Sequence, residues 1–177
     1  MENSIEEIRP FTPKQVLIVV GISGDGNSKG KSSYCTVLKY LENLKWIENA
    51  YSNSLPTRVT LLGAIAGVKA LKGSCEVIVV VQNDLVVRAF EQGWILDWEK
   101  RGLLQRETTQ VKHTDLYARL YDAMDGHAIQ FRQPATFEEE KLMEQCKTIA
   151  KKLKKAGPWV EDTAQFESDG GLLEENA

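Results

Sequence analysis

The residues best suited to chemistry fall in three places. The first is Gly30-Lys31-Ser32, closing a loop from Gly24 that is rich in Gly, Asn, Asp and Ser. A phosphate-cradling P-loop needs a glycine five residues ahead of Gly-Lys-Ser, so that backbone amides wrap the phosphates and the lysine reaches them. Here that position is Asp25, and the glycines at 24 and 26 miss the register. The apolar run Val77–Val81 continues into Gln82-Asn83 and lacks the acid that such an enzyme sets behind Mg²⁺. The segment reads as a loop between strands. The second place is Trp94, Trp98, Lys100, Arg101 and Lys112, where aromatic faces and cations could cover sugars and hold phosphates. A pair of tryptophans four apart on a helix also serves as packing, and Trp98 is the stronger candidate for that role. The third is the set of Cys35, Cys75 and Cys146 with His113 and His127, too few and too scattered for a disulfide scaffold or a zinc site.

The elements that must position these residues follow from periodicity. Residues 14–23 are a β-branched run suited to a buried strand, with further strands at 34–41, 47–52 and 76–81. Residues 57–72 have helical spacing, with Leu61, Ile65, Val68 and Leu71 on one face and Gly73 as a stop. Gly63 and Gly67 lie four apart and suit close packing against a sheet. Short helices are expected at 84–92, 94–101 and 115–124, a strand at 127–133 and a long helix at 137–155. The order β-β-β-α-β-α-α-α-β-α predicts an α/β protein, a mixed sheet flanked by helices on both faces.

Length and charge bound the rest. The 177 residues suit a single domain, and 42% hydrophobic residues suffice for a core. The longest apolar run, Val16–Gly21, is far too short for a membrane span. A reduced, cytoplasmic protein is expected. The net charge is −3, but residues 1–9 carry −2 and residues 158–177 carry −6, which leaves +5 on residues 10–157. That body is compatible with phosphate binding. The expected division is an irregular lead-in at 1–13, a domain at 14–157 and an acidic, disordered tail at 158–177.

Several segments together resemble bacterial type 1 ribonuclease H. They are Gly30–Leu38 with Asn27, Thr57-Arg58-Val59-Thr60-Leu61 with Ala64-Ile65, Cys75–Ile78, Gly93–Gly102, Val111–Leu120, His127–Ile129 and Trp159–Thr163. The resemblance covers roughly residues 14–167 and implies the family's five-stranded mixed sheet. It also implies two-metal hydrolysis of the RNA strand of an RNA/DNA hybrid, which needs four carboxylates to hold two Mg²⁺ ions. Carried over one by one, those carboxylate positions fall on Gly21 (or Ile22), Thr60, Asn83 (or Gln82) and Lys147, and the family's mobile histidine falls on Phe137. None of these residues is acidic or a histidine.

Three functions follow as alternatives. The leading one is a ribonuclease H-like pseudoenzyme with no metal or other cofactor, which binds nucleic acid, an RNA/DNA hybrid, through Asn27, Trp94, Lys100, Arg101 and Lys112. The second is a protein-interaction module on the same scaffold, with a protein partner. The third is an active endoribonuclease that uses Mg²⁺ on relocated acids, Asp25 and Asp84. A strand turns its side chains to opposite faces with each residue, so an acid one position away can point the wrong way. Lys147 is expected either to stand where a metal would, with Asp84 as its counter-ion, or to be a solvated lysine on the helix surface. No membrane partner is expected.

Overall fold

The computed structural model describes residues 14–26, 29–104 and 111–162. Five strands, β1 (Lys14–Ser23), β2 (Gly30–Tyr40), β3 (Asn43–Ser54), β4 (Cys75–Val80) and β5 (Ala128–Arg132), form one sheet. Five helices, α1 (Pro56–Lys69), α2 (Asp84–Glu91), α3 (Trp94–Lys100), α4 (Thr114–Ala123) and α5 (Phe137–Ala156), complete the order expected from periodicity. The strand order is β3-β2-β1-β4-β5. β1 pairs antiparallel with β2 and β2 with β3, whereas β4 runs parallel to both β1 and β5. This is the mixed, two-sided sheet that the apolar runs require, because a strand buried on both faces shows no alternation.

The two faces of β1 go to different helices. Val16, Ile18 and Val20 enter the larger core with α1, α2 and α4, and Val19 packs with Cys35, Val37 and Val80 beneath Leu142, Met143, Cys146 and Ala150 of α5. Close approach of α1 depends on its glycines. A Cβ on Gly63 would lie 2.5 Å from Val20 Cγ1, and one on Gly67 2.8 Å from Ile18 Cγ2. Thr36 Oγ1 donates to the Gly63 carbonyl at 2.9 Å across the same contact.

α5 is set by its ends. Thr136 caps the Glu139 N–H at 3.1 Å, and buried Glu139 takes Arg132 on both oxygens, at 2.8 and 2.6 Å. Three glutamates in the first turn and Lys154 and Lys155 in the last both suit the helix dipole.

Two of the strands are longer than the apolar pattern predicts. β2 starts at Gly30 rather than 34, and β3 covers 43–54 rather than 47–52, since backbone pairing continues through polar residues that carry no periodic signal. The domain boundary at 157 also moves. Residues 158–162 pack on the body, where Val160 accepts from the Ser52 N–H and donates to the Ala50 carbonyl, both at 2.9 Å, and Asp162 is buried. Counting acids toward a tail missed that Asp162 has a buried arginine to meet. Residues 1–13 and 163–177, the rest of the expected lead-in and tail, lie outside the described residues.

Candidate functional site

The mouth implied by the resemblance is framed by the ends of β1 and β4, the start of α1 and one flank of α5. Gly21 is buried there. A Cβ on Gly21 would lie 2.6 Å from Cys146 Cβ, 2.7 Å from the Lys147 backbone nitrogen and 2.9 Å from the Cys146 carbonyl carbon. Two of those three atoms are helix backbone, which cannot swing aside. α5 therefore occupies the space that a side chain at position 21 would need.

The other three positions have ordinary structural duties. Thr60 is 2% exposed and returns its hydroxyl to the Pro56 carbonyl at 2.8 Å, one turn back in α1. Asn83 caps α2 by accepting from Val86 N–H at 3.1 Å, and its amide donates to Thr57 Oγ1 at 3.1 Å. Lys147 is partly exposed and lies 3.6 Å from Glu144, its neighbour one turn back.

The acids offered as substitutes are engaged elsewhere. Asp25 accepts from Lys154 at 2.7 Å. Asp84 takes the Arg88 guanidinium through both Nε and Nη2 along the exposed surface of α2, and holds that guanidinium above its usual range by hydrogen bonding and charge. The expected Lys147–Asp84 pair is thus replaced by two local pairs, Lys147–Glu144 and Asp84–Arg88. An i,i+3 or i,i+4 partner on the same helix is closer than one across the mouth. Among the described residues no three His, Cys, Asp or Glu side chains gather where they could hold a metal ion.

The aromatic-basic region is a packed elbow. Trp94 opens α3 after Gly93, whose φ of 74° is the left-handed conformation that glycine adopts without strain. Trp94 and Trp98 have ring centroids 6.2 Å apart, and Trp98 meets Tyr117 of α4 edge to face at 5.3 Å. Both tryptophans rest on the larger core while keeping partial exposure. Burial pushes the Tyr117 hydroxyl up to about 12. Lys100, Arg101 and Lys112 are exposed, and Arg101 donates to Asp97 at 3.2 Å. Asn27 lies outside the described residues, as do residues 105–110 between Arg101 and Lys112. Phe137 begins α5 and is 82% exposed.

Sequence reasoning missed the fully buried guanidinium held by two carboxylates. Arg58 is fully buried. It donates to both oxygens of Asp115, at 3.0 and 2.7 Å, and to both of Asp162, at 2.7 and 3.2 Å. Burial alone would lower the guanidinium's pKa, and the hydrogen bonds and charges of the two carboxylates more than offset it, so the net shift is upward. Ser54 donates to Asp162 at 2.7 Å, and the Asp162 N–H donates to Asn53 at 3.0 Å. This cluster ties α1, α4 and the segment after α5 together. Cys35 and Cys146, far apart in sequence, are likewise brought together in the smaller core, with both thiols free.

The fold and these segments define a ribonuclease H-like protein. The chain is 33% identical over 150 residues to the ribonuclease H of Shewanella loihica, covering 85% of this chain and 94% of that one. It belongs to the ribonuclease H family. No family model matches it. Among solved structures it resembles LC9-RNase H1, described as a type 1 RNase H with the type 2 active-site motif. The TM-score is 0.70 at 15% identity, over 88% of this chain and 81% of that one. It also resembles LC11-RNase H1 in complex with RNA/DNA hybrid, with a TM-score of 0.50 at 13% identity over 76% and 98% of the two chains. No helix among the described residues is long and apolar enough to cross a membrane.

Proposed function

We propose that this chain is a ribonuclease H-family protein that binds nucleic acid, an RNA/DNA hybrid, without hydrolysing it. The observation that carries this reading is the backbone of α5 against Gly21, at 2.7 and 2.9 Å from where a Cβ would stand. A lost ligand can be replaced by a nearby acid, but a site filled by helix backbone leaves no room for one at position 21. The residues do not fit a pair of divalent cations. Gly21 has no side chain, the Thr60 hydroxyl and Asn83 carbonyl already accept or donate within the fold, and Lys147 brings positive charge.

Hybrid binding is supported by family membership, by the LC11-RNase H1 complex with RNA/DNA hybrid, and by the exposed Lys100, Arg101 and Lys112 beside the tryptophans. Lys100, Arg101 and Lys112 take phosphates, and Trp94 covers the sugar surface; Asn27, outside the described residues, is a further contact by the family resemblance alone. The three free cysteines suit a reducing, cytoplasmic setting.

The test is hybrid binding and cleavage measured together, with Mg²⁺ and with Mn²⁺. Salt-sensitive binding without turnover is expected. Each lost phosphate contact, as in Arg101→Ala, should reduce the log–log salt slope by about 1. Trp94→Ala should cost ~1–3 kcal/mol of affinity at nearly constant slope. Mg²⁺-dependent turnover abolished by Asp84→Asn would overturn the reading and favour relocated acids. Absence of hybrid binding even at low salt would leave the interaction module.

A further inference from the structure

Helix α5 divides by charge. Residues 137–144 carry Glu138, Glu139, Glu140 and Glu144 against Lys141 alone, whereas residues 145–156 carry Lys147, Lys151, Lys152, Lys154 and Lys155 and no acid. The helix dipole accounts for Lys154 and Lys155, because its effect falls off beyond the last turn. Lys147 and Lys151 stand earlier and need another reason.

Helical phase settles which way each lysine faces. On one flank of α5, Glu138 accepts from Lys39 of β2 at 2.7 Å, and Gln145 and Ile149 line a groove with Trp46 of β3. Buried Cys146 points down to the sheet. Successive helix residues turn by about 100°, so Gln145 and Lys147 leave Cys146 to opposite sides. Gln145 faces β3, and Lys147 therefore faces the mouth, where its backbone nitrogen already lies 2.7 Å from a Cβ built on Gly21. Lys151 and Lys154, four and seven residues on, repeat the phase of Lys147. Lys152, seven residues after Gln145, returns to the β3 side.

The charges around this flank leave two cations available. Lys154 is held by Asp25 at 2.7 Å, and Asp84 at the start of α2 is held by Arg88. Lys147 has Glu144 at 3.6 Å, an exposed pair on one helix of the kind worth ~0–1 kcal/mol. Lys151 is exposed and has no ion pair among the described residues. Glu140 shares the flank but stands two turns below Lys147, ~10 Å away, about one Debye length.

We infer that Lys147 and Lys151 form a second phosphate-binding row, which holds the backbone of a nucleic-acid strand along the α5 side of the mouth. This rests on the proposed reading of the chain as a nucleic-acid binder and adds a surface to it. Lys100 and Arg101 close α3, which packs through Ile95 on the larger core, on the opposite face of the sheet from α5. A duplex presents two rows of phosphates, and cations on both faces let it lie across the mouth. Lysines four apart on a helix have Cβ atoms ~5–6 Å apart, and their flexible stems let two ammonium groups adjust to neighbouring phosphates. A carboxylate on this flank would meet a phosphate only through a bridging cation, whereas an ammonium meets it directly.

The test is the affinity of the full chain for a labelled RNA/DNA hybrid at several salt concentrations. Lys147→Gln and Lys151→Gln should each lower the log–log salt slope by about 1 and weaken binding several-fold at low salt. Lys147→Arg should keep the slope. Lys152→Gln makes the same charge change on the β3 side and should leave slope and affinity where they are. All four variants should melt with the wild type, because these side chains are wholly or partly exposed. If Lys147→Gln and Lys151→Gln bind like the wild type while Arg101→Ala still loses slope, the second row is overturned and hybrid binding through the α3 side stands. If Lys152→Gln loses as much as Lys147→Gln, the effect is general attraction to a basic helix end, which overturns the row equally. A wild-type chain that binds no hybrid at low salt overturns the row together with the reading beneath it.

Discussion

The mouth at Gly21 and the cluster around Arg58 lie at the two ends of one problem, burying polar groups next to a sheet. At the mouth the buried positions are neutral. Thr60 bonds its own helix, Asn83 caps α2, and Gly21 yields its space to α5. At Arg58 the reverse holds: a full charge is buried, and two carboxylates, a serine and an asparagine surround it. Among the described residues, buried charge stands where its partners are supplied in the same place. Four clustered carboxylates would repel one another unless cations joined them, whereas a neutral mouth requires nothing from solution. The space beside Gly21 and the neutrality of the positions around it go together, while the Arg58 cluster fastens residues 158–162 to the body.

The largest effect should come from the charged end. Arg58→Ala removes one cation from between two carboxylates and leaves both short of partners. A loss of ~3–5 kcal/mol in unfolding free energy is expected. Denaturant unfolding measures it, and a loss below ~1 kcal/mol would mean that the cluster is solvated, ending the comparison.

At the neutral end, Gly21→Ala adds one methyl group against helix backbone, and a loss of ~1–3 kcal/mol is expected. Gly21→Asp should be worse, and millimolar Mg²⁺ should not restore its melting temperature, because a ligand stabilises only a native state that can bind it. An unchanged melting temperature for Gly21→Ala would show that α5 has room to move and would reopen the mouth.

A third effect separates pH from packing. Burial raises the hydroxyls of Tyr34, Tyr51 and Tyr117 above the ordinary 10.0, Tyr117 to about 12. Above pH 10 the unfolded chain releases these protons while the folded chain keeps them, so the unfolded state binds fewer protons and stability falls as pH rises. Each such tyrosine contributes a slope of ~1.4 kcal/mol per pH unit between its unfolded and folded values. Tyr117→Phe should flatten the alkaline loss by about that slope between pH 10 and about 12, and leave Trp98 without a polar edge but still packed. An unaltered slope would mean that the Tyr117 hydroxyl reaches water and that the elbow beneath Trp98 is open.

Much of this arrangement was legible beforehand. The β-branched run at 14–23, the Gly63/Gly67 pair and the apolar stripe of α1 fixed the order of elements, because periodicity reports burial directly. The resemblance placed Gly21, Thr60, Asn83 and Lys147 at one mouth. What periodicity could not report is pairing between charges. Arg58 sits on an apolar helix and Asp162 in an acidic stretch, and each alone reads as surface. The register of Gly21 against Cys146 depends on how deeply α5 settles on the sheet, which no local pattern encodes. Asp84 failed as a counter-ion for Lys147 for a related reason: Arg88, four residues on, was the nearer partner all along.

The smallest effect tests the comparison most sharply. Asn83→Asp puts a carboxylate back at one position of the mouth without disturbing its backbone. Aspartate caps a helix as well as asparagine does and suits the positive end of the α2 dipole. It gives up the donation from the Asn83 amide to Thr57, worth ~1 kcal/mol at most. Stability should therefore change by no more than about 0.5–1 kcal/mol in either direction, and Mg²⁺ should leave the melting temperature of the variant where it leaves that of the wild type. A clear Mg²⁺-dependent rise in Asn83→Asp alone would show that a single restored acid can hold a cation beside Lys147. In that case missing ligands, rather than the helix packed on Gly21, would be what keeps a cation from the mouth. The Gly21→Ala measurement would then decide whether the packing contributes anything at all.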